Sequence, residues 1–272
     1  MPMPASTPTP TPTPHVLDRP NARLAYHATG EGPVAVYAHG ALSSRDHEGR
    51  MGFMDWSPVA ASGRRLVEFD ARGHGRSTGR AVEADYTYPA LGDDLLALCD
   101  HVAPGSPMAA LGSSMGAATV LWAAVKAPQR FDRLVLVIPG PAWQARAERR
   151  SGLEAAADLV EREGGAALVA AMRQVGPPSA LAGVEDFPPE FDVPEPLMPT
   201  VLRAAAASDL PDPAVLRTLP HPALILAWEG DPSHPAETAE ALADLMPAAR
   251  LHVSRDLADI RTWGSRAAAF LS

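Results

Sequence analysis

The chain has 272 residues, 46% of them hydrophobic and 20% charged, with 23 basic against 32 acidic side chains and a formal charge of -9. The apolar share excludes wholesale disorder, and the acidic surplus, with no basic stripe, argues against a nucleic-acid binder. One cysteine, Cys99, excludes an internal disulfide framework and any cysteine-rich zinc or iron–sulfur centre.

Residues 1–14 alternate proline with serine or threonine and hold six of the 29 prolines, which predicts a disordered tail. They lack the basic start and apolar core of a signal peptide, and no run of 18 apolar residues occurs anywhere, so no membrane span is expected and a cytoplasmic location is the default. Monomer and small homo-oligomer both stay open. A hairpin strand is expected at 21–30, and short apolar strands at 34–40 and 64–70. The periodicity at 88–102 predicts a helix. A strand from 107 ends in a sharp turn, and a helix rich in small residues follows at 115–127, stopped by Pro128. Further strands are expected at 132–140, 221–231 and 249–255, with helices at 235–246 and 259–271. This alternation predicts an α/β fold with a mostly parallel sheet flanked by helices. The interval 141–220 lacks a strand pattern. It reads as an inserted, mainly helical lid over the edge of the sheet where ligands bind in open α/β folds. The domain reading is therefore a tail at 1–14, a core at 15–140 and 221–272, and a lid at 141–220.

The segment Gly112-Ser113-Ser114-Met115-Gly116 fits G-x-S-x-G between an apolar strand and a helix. A tight strand-to-helix turn needs the two glycines free of Cβ atoms and thrusts Ser114 out at its tip as a nucleophile. The Met115 N–H then faces a developing oxyanion at the helix start. A second donor is expected from the loop after the first parallel strand, at Ala41 or Leu42, with His39 as a hydrogen-bonder beneath it.

HGA at 39–41, DARGHGRS at 70–77, GSSMG at 112–116 and GDPSHP at 230–235 together resemble the α/β-hydrolase superfamily, in particular small esterases, lactonases and hydrolases of ring-cleavage products. The resemblance implies an α/β-hydrolase fold, a serine hydrolase acting through an acyl-enzyme on Ser114, and a carbonyl-containing small-molecule substrate. It implies Asp231 as the acid, through D-x-x-x-P ending at Pro235. It assigns Asp70, Arg72, His74 and Ser77 to pinning loops near the elbow. It also implies a histidine after the last strand, and none occurs from Arg255 to Ser272.

Sorting the nine histidines leaves two at the right edge, His234, three residues beyond Asp231, and His47, in the polar run after the oxyanion loop. The remainder fall in the tail (His15), in strands, at a helix end or in structural loops. Pro232 and Pro235 restrict how His234 turns back. A site served by neither histidine is the third reading, and it would suit a lyase, a cyclase or a ligand-binding protein on the same scaffold. His47 and Trp143 are expected to contact substrate; Trp143 and Trp228 are candidates for the wall of an apolar pocket, against core packing as the commoner use of such rings. The charges at 146–150 and 161–163 read as a solvated face of the lid helices, and Asp93-Asp94 as a solvated pair. No dinucleotide, Walker or HExxH pattern occurs, so neither cofactor nor metal is expected.

Overall fold

The computed structural model describes residues 14–184, 187 and 191–272. The expected tail lies outside these residues except for Pro14, as does part of the proline-rich connector at 177–199. Among the described residues eight strands form one sheet: β1 (His15–Arg19), β2 (Ala22–Thr29), β3 (Val34–Ala38), β4 (Arg65–Phe69), β5 (Met108–Ser113), β6 (Phe131–Val137), β7 (Ala223–Trp228) and β8 (Ala249–Ser254). Their spatial order is β1-β2-β4-β3-β5-β6-β7-β8. The β1–β2 and β2–β4 pairs are antiparallel, and every pair from β4 to β8 is parallel. Strands covered on both faces carry no polar alternation, and every residue of β3, β5 and β7 is buried. The tail expectation for His15 is corrected: it opens β1, pairs with Tyr26 and stacks on its ring.

The helices are α1 (Arg45–Met51), α2 (Ser57–Ala61), α3 (Tyr88–Val102), α4 (Met115–Lys126), α5 (Trp143–Glu163), α6 (Gly165–Val175), α7 (Met198–Ala207), α8 (Pro213–Leu216), α9 (Ala236–Leu245), α10 (Leu257–Ile260) and α11 (Trp263–Leu271). Leu91, Leu95 and Leu98 recur at helical spacing on α3 and join α4 and α9 against one face of the sheet. Val59 of α2, Ile260 of α10 and Trp263 and Leu271 of α11 cover the other face. Between β6 and β7 the described residues form α5 to α8 and no strand, and α5, α6 and α7 share an apolar cluster through Val160, Leu168 and Val201.

Two polar readings change here. Consecutive helical residues point about 100° apart, so Asp93 faces solvent beside Lys126, whereas Asp94 is buried and accepts from the guanidiniums of Arg19 and Arg72. Likewise Arg146 is not on a solvated face: it is buried, with Nε donating to the Ser208 carbonyl at 3.0 Å and Nη2 to the Tyr88 hydroxyl, stapling α5 to α7.

Candidate active site

Three neighbouring regions of the sheet's C-terminal edge converge: the loop after β3, the β5–α4 turn and the loop after β7. Ser114 stands at the β5–α4 turn with φ 51° and ψ -111°, a left-handed conformation that a non-glycine residue adopts at a cost. The surrounding backbone holds it there. A Cβ on Gly112 would fall on the Gly116 carbonyl, and one on Gly116 would fall on the Ala38 carbonyl, so neither position accepts a larger residue without backbone movement. The Ser114 N–H donates to the Val137 carbonyl at 2.9 Å, tying the turn to β6.

Asp231, Pro232, Ser233 and His234 form one four-residue turn. The His234 N–H donates to the Asp231 carbonyl at 3.1 Å, and the Ser233 N–H donates to Asp231 Oδ1 at 2.8 Å. Proline at the second position presets the φ that such a turn requires, so Pro232 promotes the reversal. The reversal brings His234 Nδ1 to 2.7 Å from Asp231 Oδ2 and His234 Nε2 to 2.8 Å from Ser114 Oγ. An ionised carboxylate only accepts, so Nδ1 carries the proton and Nε2 accepts from the serine hydroxyl. The Trp228 indole also donates to Asp231 Oδ2, at 3.0 Å, and its ring stands edge-on to His234. Burial works to raise the Asp231 carboxyl. The hydrogen bond and charge of His234, with the Ser233 N–H and the indole, outweigh it and hold the group below its ordinary value.

The strand order explains how a residue beside the acid reaches the serine. β5 and β7 are separated by β6 alone, two strand spacings or about 10 Å. β8 lies one spacing further away. Its successor segment is occupied otherwise: Trp263 donates to Ser254 Oγ at 2.9 Å and stacks on Trp228.

The loop after β3 spends its polar groups in a definite way. His39 Nδ1 donates to the Gly40 carbonyl at 2.7 Å, and His39 Nε2 accepts from the Ala71 N–H at 2.9 Å. The Gly40 N–H donates to Glu48 Oε1 at 2.8 Å, and the Leu42 N–H donates to His74 Nε2 at 3.3 Å. Burial pushes His39 down to about 4 and His74 down to about 3, so both are neutral struts at neutral pH. Of the two oxyanion candidates in this loop, Leu42 therefore has its N–H committed to an imidazole.

A cavity of about 460 Å³ opens above Ser114 and His234, between the sheet edge and the α5–α7 helices. Its wall is mainly apolar, with Phe53, Leu153, Met172 and Val201 among its residues. His47 stands in its wall, on α1 and not on an open loop, with Nδ1 2.7 Å from Ser43 Oγ. Trp228 lines it too. Trp143 does not: its N–H donates to Asp209 and its indole to the Pro211 carbonyl, which turns the ring away towards the α7–β7 connection. Glu48, which the sequence reading passed over, lies in the wall and is buried. Among the described residues no cluster of three histidine, cysteine or acidic side chains is placed to hold a metal, and no helix is long and apolar enough to cross a membrane.

The family sequence model for the alpha/beta hydrolase fold matches residues 33–258, and the chain belongs to that family. Over 97 residues it is 37% identical to 3-oxoadipate enol-lactonase 2 of Acinetobacter baylyi, a stretch covering 32% of this chain and 35% of that protein. The match therefore spans about a third of that relative's length. A hydrolase of Pseudomonas aeruginosa PA01 superposes with a TM-score of 0.73 at 23% identity, over 95% of this chain and 98% of that one. A thermophilic esterase of Thermogutta terrifontis superposes with a TM-score of 0.70 at 23% identity, over 91% of each chain. These structural likenesses are likenesses of fold.

Proposed function

We propose that this protein is a serine hydrolase that cleaves an ester or lactone through an acyl-enzyme on Ser114. The observation that carries the reading is the unbroken hydrogen-bond chain from Ser114 Oγ through His234 to Asp231, at 2.8 and 2.7 Å. Ser114 attacks the substrate carbonyl while His234 Nε2 takes its proton, and Asp231 orients the ring and stabilises the imidazolium. His234 then protonates the leaving alkoxide. A water deprotonated by the same nitrogen attacks the acyl-enzyme, releasing the acid and restoring the serine. The oxyanion donors are the N–H groups of Ala41 and Met115. Peptide groups are planar and trans, so with the Gly40 carbonyl held on His39 the Ala41 N–H points to the opposite side. Met115 is the first residue of α4, whose N–H has no partner within the helix.

The apolar wall and cavity size suit a small neutral acyl group, and the enol-lactonase relative supports a lactone as one substrate form. In this reading the α5–α8 insertion is the lid, and neither cofactor nor metal takes part. A fluorophosphonate probe and p-nitrophenyl butyrate test the proposal. Ser114→Ala is expected to abolish labelling and turnover, and His234→Ala to slow acylation by ~10²-fold or more. Undiminished turnover in a folded Ser114→Ala variant would overturn it.

A further inference from the structure

Glu48 is a buried carboxyl in the wall of the active-site cavity that the mechanism above does not use. Among the described residues no cation lies within ion-pair distance of it. Its partners are three donors. Oε1 accepts from the Gly40 N–H at 2.8 Å and from the Ser113 hydroxyl at 3.0 Å, and Oε2 accepts from the Tyr37 hydroxyl. Burial pushes this carboxyl up from its ordinary value, against the hydrogen bonds of Tyr37, Gly40 and Ser113. A buried acid is costly to retain, and the hydrophobic cluster on this face of the sheet would accept an apolar residue at its place more readily than a carboxyl.

The position of the partners supplies a reason. Gly40 immediately precedes Ala41, and Ser113 lies two residues before Met115. One carboxyl oxygen therefore grips both segments that carry the proposed oxyanion donors. The loop after β3 has no ladder partner at this point, because β3 ends at Ala38. The Gly40 backbone is held by His39 on its carbonyl side and by Glu48 on its N–H side. Removing the Glu48 contact frees the peptide between His39 and Gly40 to rotate, and the Ala41 N–H moves with it. Tenths of an ångström matter here, because oxyanion stabilisation depends on donors already aimed at the developing charge.

We infer that Glu48 is a positioning residue, which fixes the spacing between the Ala41 and Met115 N–H groups by bonding the Gly40 N–H and the Ser113 hydroxyl at one oxygen. The inference rests on the serine hydrolase reading. It predicts that the acceptor at Oε1 matters and the negative charge does not. Glutamine keeps that acceptor. Its amide donates to the Tyr37 oxygen, and the Tyr37 hydrogen turns to Ser113 Oγ, already 3.1 Å away. Aspartate keeps the charge but is one methylene shorter and withdraws from Gly40.

The test compares Glu48→Gln, Glu48→Asp and Glu48→Ala with the wild type, using p-nitrophenyl butyrate turnover, the rate of fluorophosphonate labelling and thermal melting. The expected result is kcat within about threefold of wild type for Gln, and lower by ~10²-fold for Asp and Ala. KM should stay within about threefold in all three, and labelling should slow in step with kcat. If Ala does not fold, the contrast between Gln and Asp carries the decision. Equal losses in Gln and Asp, a loss confined to KM, or full kcat in Asp would overturn the inference. Ser114→Ala run in parallel separates the two levels: if it keeps turnover, the hydrolase reading falls and the role of Glu48 falls with it. If Ser114→Ala is dead while Glu48→Asp and Glu48→Ala are fully active, Glu48 alone is misread.

Discussion

Replacing Asp231 by asparagine changes one atom in a group that accepts three hydrogen bonds. Asp231 Oδ2 takes the Trp228 indole and the His234 Nδ1–H, and Oδ1 takes the Ser233 N–H. An asparagine amide must set its NH₂ against either the one donor or the two. If it faces His234, Nδ1 becomes an acceptor, the ring proton moves to Nε2, and that nitrogen no longer takes the proton of Ser114. If it faces Ser233, the tautomer survives and the charge is still lost. With charge centres roughly 4 Å apart and an effective dielectric constant near 20, the carboxylate stabilises the imidazolium by about 4 kcal/mol. That corresponds to about 10³-fold in rate, and the tautomer change adds to it. Asp231→Asn is therefore expected to lower kcat/KM for p-nitrophenyl butyrate by about 10³- to 10⁴-fold, with KM little altered and a cooperative melt retained. A loss smaller than tenfold in a folded variant would refute the assignment of Asp231 as the partner of His234.

Three further outcomes are expected. Gly116→Ala sets a methyl on the Ala38 carbonyl, so the elbow must shift, at a cost of about 2–3 kcal/mol. A fall of about 5–10 °C in Tm with loss of activity should follow, and an unchanged melt would contradict the crowding described. Trp228→Phe removes one of three donors from Asp231 while keeping a ring against Trp263. It should cost about 10- to 150-fold in kcat/KM, at roughly 1.5–3 kcal/mol for a hydrogen bond to a charged group, and wild-type kinetics would show the indole bond to be idle. His39 is held down to about 4 by burial, against about 6.5 when unfolded. A depressed pKa contributes stability that is present above the unfolded value and is lost as pH falls towards the folded one. The unfolding free energy of the wild type, from urea titrations, should therefore lose its advantage over that of His39→Gln between pH 6.5 and 4, by about 3 kcal/mol, and a gap constant with pH would count against the buried neutral imidazole.

The tight β5–α4 turn and the place of Asp231 beyond β7 are legible in the sequence because their demands are local: two glycines spaced around a serine, and an aspartate just beyond an apolar strand. The core strands were legible for a related reason, since burial on both faces leaves uninterrupted apolar runs such as Ala223–Trp228. The sequence leaves His234 and His47 both open, because the prolines flanking His234 hinder or promote a reversal according to position. Reading Asp-Pro-Ser-His as a turn with proline second would have favoured promotion. Glu48 was missed because SSRDHEGR reads as a polar loop. Its helical signal was Ser44, whose hydroxyl accepts from the His47 N–H as an N-cap. A seven-residue helix of that composition has little intrinsic stability, and it is the packing beneath it that no local pattern records. Trp143 and Arg146 were misplaced for the same reason: helical phase alone does not tell which side of an inserted helix meets the α7 segment.

The turn at 231–234 makes the hydrogen-bonded Asp231–His234 pair a contiguous piece of chain. From Trp228 to Pro235, eight successive residues carry the carboxylate, the imidazole and the indole that steadies them. Because the carboxylate and the imidazole are bonded within that one turn, their 2.7 Å contact does not depend on the register between β7 and β8. The segment after β8 meets this turn only indirectly, through Trp263, which stacks on the Trp228 ring that donates to Asp231.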